Sequence, residues 1–135
     1  MSTLTQLQVG ESLKEIQLEP VSRMDLIKYS GASGDFNPIH TIDDEAKKAG
    51  LPGIIAHGMW TMGNLAKLFT AYYDEGFMKD YSIRFKGMVF LNDVITLKAT
   101  LKEKQDRILS FTVQAVNQHG NEVLKGKVLY QQYEA

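Results

Sequence analysis

The 135-residue sequence predicts an α+β fold, an antiparallel sheet wrapped around a long central helix, and three observations carry that prediction. Residues 59–73 place apolar side chains at intervals of three and four around a face too broad for a surface helix. Beyond Asp80 the apolar period changes to two and returns in four separate runs. A sheet that is apolar on one face needs a cover, and 59–73 is the only segment long and apolar enough to provide it.

The elements follow in chain order. Residues 13–18 read as a strand. Ser22 with Asp25 three residues on forms a capping signal, so a helix begins there, with Met24, Ile27, Tyr29 and Ala32 as its apolar side and fraying at 31–34. The run DDEAKKAG has acids first, lysines last and Gly50 just beyond, which suits the helix macrodipole and a glycine C-cap and reads as a short surface helix. In the central helix Met59, Met62, Leu65, Ala66, Phe69 and Tyr73 form the stripe, widened by Trp60, Leu68 and Tyr72. The strand runs are Ile83, Phe85, Val89 and Leu91; Ile95, Leu97, Ala99 and Leu101; Leu109, Phe111, Val113 and Ala115; and Leu124, Val128 and Tyr130, with turns at 91–93, 105–107 and 118–121.

Composition narrows the function classes. The length suits one domain over 1–135. A net charge of -1 gives no basic field for nucleic acid or an anionic membrane. The chain has no cysteine, which removes thiolate chemistry, and only three histidines, which argues against a zinc site. The first ten residues lack a basic region followed by an apolar run, and no stretch of about 18 apolar residues occurs. The expected location is the cytoplasm.

One local pattern carries chemistry. In GDFNPIH, residues 34–40, a carboxylate and an imidazole lie five positions apart across a proline turn. Alone, Asp-x-Asn-Pro is an ordinary turn: Asn before Pro favours one, and its amide bonds nearby backbone. Together, Asp35 and His40 could hold one reacting water between a base and an acid. A second feature is Gly58, at the start of the central helix. There unpaired amides and a partial positive charge face outward, and no side chain blocks their approach.

These residues carry a resemblance to a known family. Tyr29, the small-residue stretch SGAS, Gly34-Asp35-Phe36-Asn37-Pro38-Ile39-His40 and then Ala46 resemble the motif of the MaoC-like (R)-specific enoyl-CoA hydratases and (3R)-hydroxyacyl dehydratases. Ala56-His57-Gly58-Met59 is similar to the segment that opens those enzymes' central helix. The specific resemblance covers roughly residues 29–63. It implies a hot-dog fold and reversible hydration of trans-2-enoyl thioesters to (R)-3-hydroxyacyl thioesters in fatty-acid metabolism. Asp35 and His40 would be the catalytic pair, and the Gly58 amide the donor to the thioester oxygen. Asn37, His57, Met59 and Trp60 would bind substrate or support the loop, His57 chiefly as a structural residue.

The same resemblance implies no cofactor, only coenzyme A or a carrier protein as the substrate's handle. It also implies a homodimer or dimer of dimers, with a heterodimer as the other possibility. Arg84, Lys86, Lys98, Lys102 and Lys104 read as solvated strand faces, some of which could meet coenzyme A phosphates or an acidic carrier. His119 reads as a solvated hairpin residue. Gly63 stands where related short hydratases often have a small hydroxyl residue, and Trp60 is bulkier than the usual aliphatic, which leaves chain length open. A hot-dog thioesterase and a non-enzymatic acyl-CoA-binding subunit are the competing readings.

Overall fold

The computed structural model describes residues 3–134. Five antiparallel strands form one sheet in the order β1-β3-β4-β5-β2: β1 Ile16–Gln17, β2 Gly76–Phe85, β3 Thr96–Gln105, β4 Ile108–Val116 and β5 Glu122–Gln132. Four helices accompany it, α1 Arg23–Ser33, α2 Asp43–Lys48, α3 Gly58–Leu65 and α4 Lys67–Thr70. Among the described residues no helix is long and apolar enough to cross a membrane.

Period-two alternation builds the core. Leu97, Ala99 and Leu101 on β3, Leu109, Phe111, Val113 and Ala115 on β4, and Leu124, Val128 and Tyr130 on β5 are all buried. Gly126 occupies the same phase of β5 without a side chain, and Ile83 of β2 fills its place: a Cβ there would meet Ile83 Cδ1 at 2.7 Å. Leu65, Leu68 and Phe69 of α3 and α4 cover this face, Phe69 lying edge-on to Phe111 with ring centroids 5.1 Å apart.

The central helix is shorter than expected, because it breaks at Ala66 into α3 and α4. Continuing the helix would require the Ala66 N–H to donate to Met62 O; at the break that carbonyl accepts the Tyr81 hydroxyl of β2 at 2.6 Å. The Ala66 amide turns to Asn64 O instead, and the spacing beyond it is mixed: Thr70 donates four residues back to Ala66 O, while Phe69 donates to Ala66 O and Tyr72 to Phe69 O, three back. Tyr73 therefore lies in turns, 77% exposed.

Three further expectations are corrected. The buried face of α1 is Leu26 and Ser30, while Met24 and Ile27 are exposed; the polar Ser30 is turned inward to meet His57. The strand that carries Ile83 starts at Gly76 and stops at Phe85, so Val89 and Leu91 lie outside it. The Lys86 and Gly87 amides both donate to Val123 O, which ends the regular ladder. Residues 13–18 run beside β3 but pair regularly only at Ile16 and Gln17.

The segment after β2 positions the site. Val89 O accepts the Ala56 N–H at 2.8 Å and Phe90 bridges Ile55, so the stretch leading into α3 is held against it. From the other side, Ile39 O accepts the Ile55 N–H at 3.2 Å, which joins that stretch to the proline turn.

Candidate active site

The capping box at Ser22 starts α1, with Ser22 Oγ accepting the Asp25 N–H and Asp25 Oδ2 accepting the Ser22 N–H. Gly34 ends it in the left-handed region at φ 79°, where a side chain would be strained. A relay of short-range bonds then shapes the loop. Ser33 Oγ accepts the Asp35 N–H at 3.2 Å, Asp35 Oδ1 accepts the Asn37 N–H at 3.2 Å, and Asn37 Oδ1 accepts the Ile39 N–H at 3.2 Å. Asn37 thereby caps the short 3₁₀ helix Pro38–His40. The relay puts Asp35 and His40 on one side of the loop.

His40 is buried, while Asp35 remains half exposed. The imidazole Nδ1 lies 2.7 Å from Ile55 O. A carbonyl oxygen can only accept, so Nδ1 carries a proton, and in the neutral form of the ring Nε2 is the bare nitrogen. That nitrogen stands 3.9 Å from Asp35 Oδ2, the carboxylate oxygen that the loop relay leaves free. The gap is too long for a direct hydrogen bond and fits a water about 2.8 Å from each atom.

His57 lies beneath this pair at 2% exposure. Its ring stacks on His40 with centroids 3.8 Å apart and 22° between planes, and Tyr29 meets it edge-on at 4.8 Å. Nε2 is 3.2 Å from both the Asp35 main-chain oxygen and Ser30 Oγ. Burial holds its pKa below the usual imidazole value, partly opposed by the bond to the Asp35 carbonyl. Asp35, His40 and His57 are metal-ligating residue types brought within 4.8 Å of one another. The stacked rings, however, aim their lone pairs in nearly parallel planes, whereas a tetrahedral centre needs convergence.

Gly58 follows directly as the first residue of α3, whose N-cap His57 makes no side-chain capping bond. Among the described residues nothing accepts the Gly58 N–H. An added Cβ on this glycine would lie 2.8 Å from the Phe85 ring of the edge strand β2. Phe85, read from the sequence as a core-facing strand residue, is 53% exposed and stands beside the helix opening. Met59 is exposed, and Trp60 is half buried against the core.

The remaining candidates fall outside this cluster. His119 is exposed in its hairpin. Lys104 donates to Thr5 O and Leu7 O and so ties down the N-terminal segment, while Lys86 pairs with Glu122 and Lys98 with Glu15. Ser30, Ile55 and Phe85 were missed in the sequence reading. Ser30 lies inside the small-residue stretch and Ile55 two residues before His57, but nothing local marks either as a partner of an imidazole.

A curled antiparallel sheet whose central helix opens beside a paired carboxylate and imidazole is the architecture of a hot-dog domain. The chain belongs to the family described as MaoC like domain, which matches residues 5–123. Its relatives include the mitochondrial 3-hydroxyacyl-[acyl-carrier-protein] dehydratase of Arabidopsis thaliana, 25% identical over 128 residues, 92% of this chain and 76% of that protein. The R-hydratase PhaJ1 of Pseudomonas aeruginosa in its unliganded form superposes with a TM-score of 0.88 at 23% identity, over 97% of this chain and 85% of that one. The ChsH1-ChsH2 complex of Mycobacterium tuberculosis matches with a TM-score of 0.83 at 19% identity, over 93% and 98%. The hot-dog fold implied by the motif is thus borne out.

Proposed function

We propose that this protein is a hydro-lyase that adds water reversibly across trans-2-enoyl thioesters to give (R)-3-hydroxyacyl thioesters. The observation that carries the reading is Nε2 of buried His40 held 3.9 Å from the free oxygen of Asp35. Family membership and the plant dehydratase support the reaction class, and the likeness to an R-hydratase is consistent with the product's configuration.

In hydration, His40 Nε2 takes one proton from the water as its oxygen bonds to Cβ. The Asp35 carboxylate accepts a hydrogen bond from the other proton, which stays on the new hydroxyl. The double-bond electrons move to the thioester oxygen, where the Gly58 amide at the N-terminus of α3 stabilises the charge; a donor so placed is worth about 3 kcal/mol. As the enolate collapses, the His40 imidazolium returns its proton to Cα. Dehydration runs the same steps backward. The thioester brings its own handle, coenzyme A or a carrier protein, and the residues named do their work without a cofactor.

A second copy of the chain is the proposed partner. Strand β2 ends the sheet, with no strand on its outer side among the described residues. Antiparallel pairing of two β2 strands centred on Ser82 would set Asp80 opposite Arg84 twice. A related subunit could use the same edge, and sedimentation of the purified chain distinguishes a homodimer from a lone protomer.

The test of the reaction is product analysis. Crotonyl-CoA incubated with the protein should yield (R)-3-hydroxybutyryl-CoA on chiral chromatography, and the (S) product or free crotonate would defeat the proposal. Repeating the assay along a ladder of chain lengths, and with carrier-protein thioesters, identifies the preferred substrate.

A further inference from the structure

Resting on the hydratase reading, we propose that His57 is a positioning residue for the catalytic pair, a neutral template that sets the Asp35 main chain and the His40 ring at once. Two contacts carry this. His57 Nε2 is 3.2 Å from Asp35 O. Because a carbonyl only accepts, Nε2 bears the proton, and Ser30 Oγ at the same distance shares it. The face of the ring lies 3.8 Å from His40. One side chain, buried at 2% exposure and one residue before Gly58, thus touches both members of the pair and opens the helix whose amide faces the thioester.

The same geometry requires His57 to stay uncharged. With Nε2 protonated, Nδ1 is the bare nitrogen, and among the described residues it is buried with no donor. The groups facing the ring are Tyr29 and Ser30 from α1, Asp35 from the loop, and His40 from the 3₁₀ turn. A proton on His57 would put a positive charge one ring-stacking distance from His40 and oppose the imidazolium that forms there during turnover. Burial acts in the required direction, lowering the pKa of His57.

Two substitutions separate the contacts. His57→Phe keeps a flat ring against His40 and loses the N–H to Asp35 O, whereas His57→Gln keeps an N–H donor and loses the stacked ring. The expected result with crotonyl-CoA is a fall in kcat on the order of 10²-fold for His57→Phe at nearly unchanged KM, the scale of a misplaced reacting group. His57→Gln should instead shift the acidic limb of the pH–rate profile. Imidazole NMR of the parental protein supplies a readout without turnover: His57 should remain neutral at a pH just below the ordinary imidazole value of about 6.5.

Parental kcat and pH profile in both variants, or a His57 that takes its proton at the ordinary imidazole value, would overturn the proposal. Activity that falls only as far as the folded fraction falls, measured by circular dichroism, would overturn it too. A parental protein that turns over no enoyl thioester at all would instead reject the hydratase reading, and the NMR result stands apart from that outcome.

Discussion

His40 Nε2 and Asp35 Oδ2 face each other across 3.9 Å, one buried and one half exposed, each with its other polar atom already engaged by backbone. Neither group can rotate away without breaking a bond to Ile55 O or to the Asn37 N–H. The separation is therefore a property of the loop, and a water can bridge it with a hydrogen bond to each atom.

Replacing either member should remove chemistry and spare the fold. Asp35→Asn keeps an acceptor for the Asn37 N–H, so the loop stays closed, while the carboxylate charge is lost. His40→Gln removes the titrating nitrogen. Both should lose ~10²–10⁴-fold in kcat with parental circular dichroism, and near-parental turnover in either would show that its assigned role is wrong.

Gly58 and Phe85 form a steric pair. A Cβ on Gly58 would lie 2.8 Å from the Phe85 ring, so Gly58→Ala should depress turnover by crowding the helix opening. Adding Phe85→Leu should recover part of that loss, because neighbours that share one contact do not combine additively. If the Gly58→Ala penalty is the same with and without Phe85, the contact is not its cause.

Tyr81 holds the end of α3 through its hydroxyl on Met62 O at 2.6 Å. Tyr81→Phe leaves that carbonyl without the bond and should cost about 1 kcal/mol of stability. Urea unfolding would register it as a lower midpoint at constant slope. An unchanged midpoint would mean that the carbonyl finds an equal partner elsewhere.

Acid should destabilise the fold partly through His57. Its burial holds the folded-state pKa below the ordinary value of about 6.5 that the unfolded chain recovers, so below that pH the unfolded state binds the extra proton. The stability that depends on neutral His57 is present above that pH and is lost as the pH falls toward and through the lowered value. Unfolding free energies measured at about pH 7.5 and about pH 5.5 should differ less in His57→Gln than in the parental protein. An equal difference in both would locate the acid sensitivity elsewhere.

What could be read from the sequence was what short-range chemistry controls. The Ser22 capping box, the Gly34 end of α1 and the Asn37-Pro38 turn depend on neighbours within a few residues, and they set Asp35 and His40 3.9 Å apart. The strands β3, β4 and β5 announced themselves by clean alternation. The break at Ala66 did not, and the contact found there joins Met62 O to a tyrosine 19 residues further along the chain. The inward turn of Ser30 was equally hidden, its partner His57 being 27 residues away on another element. The early start of β2 was missed because Phe77 and Lys79 are exposed on an edge strand and leave no apolar rhythm.

The most direct measurement of the central claim follows enoyl absorbance and free thiol together while the protein acts on crotonyl-CoA. A single water delivered to Cβ predicts that absorbance falls to an equilibrium value, that the same value is reached from (R)-3-hydroxybutyryl-CoA, and that no thiol appears. Stoichiometric thiol release, or a ligand that binds with its absorbance unchanged, would contradict it.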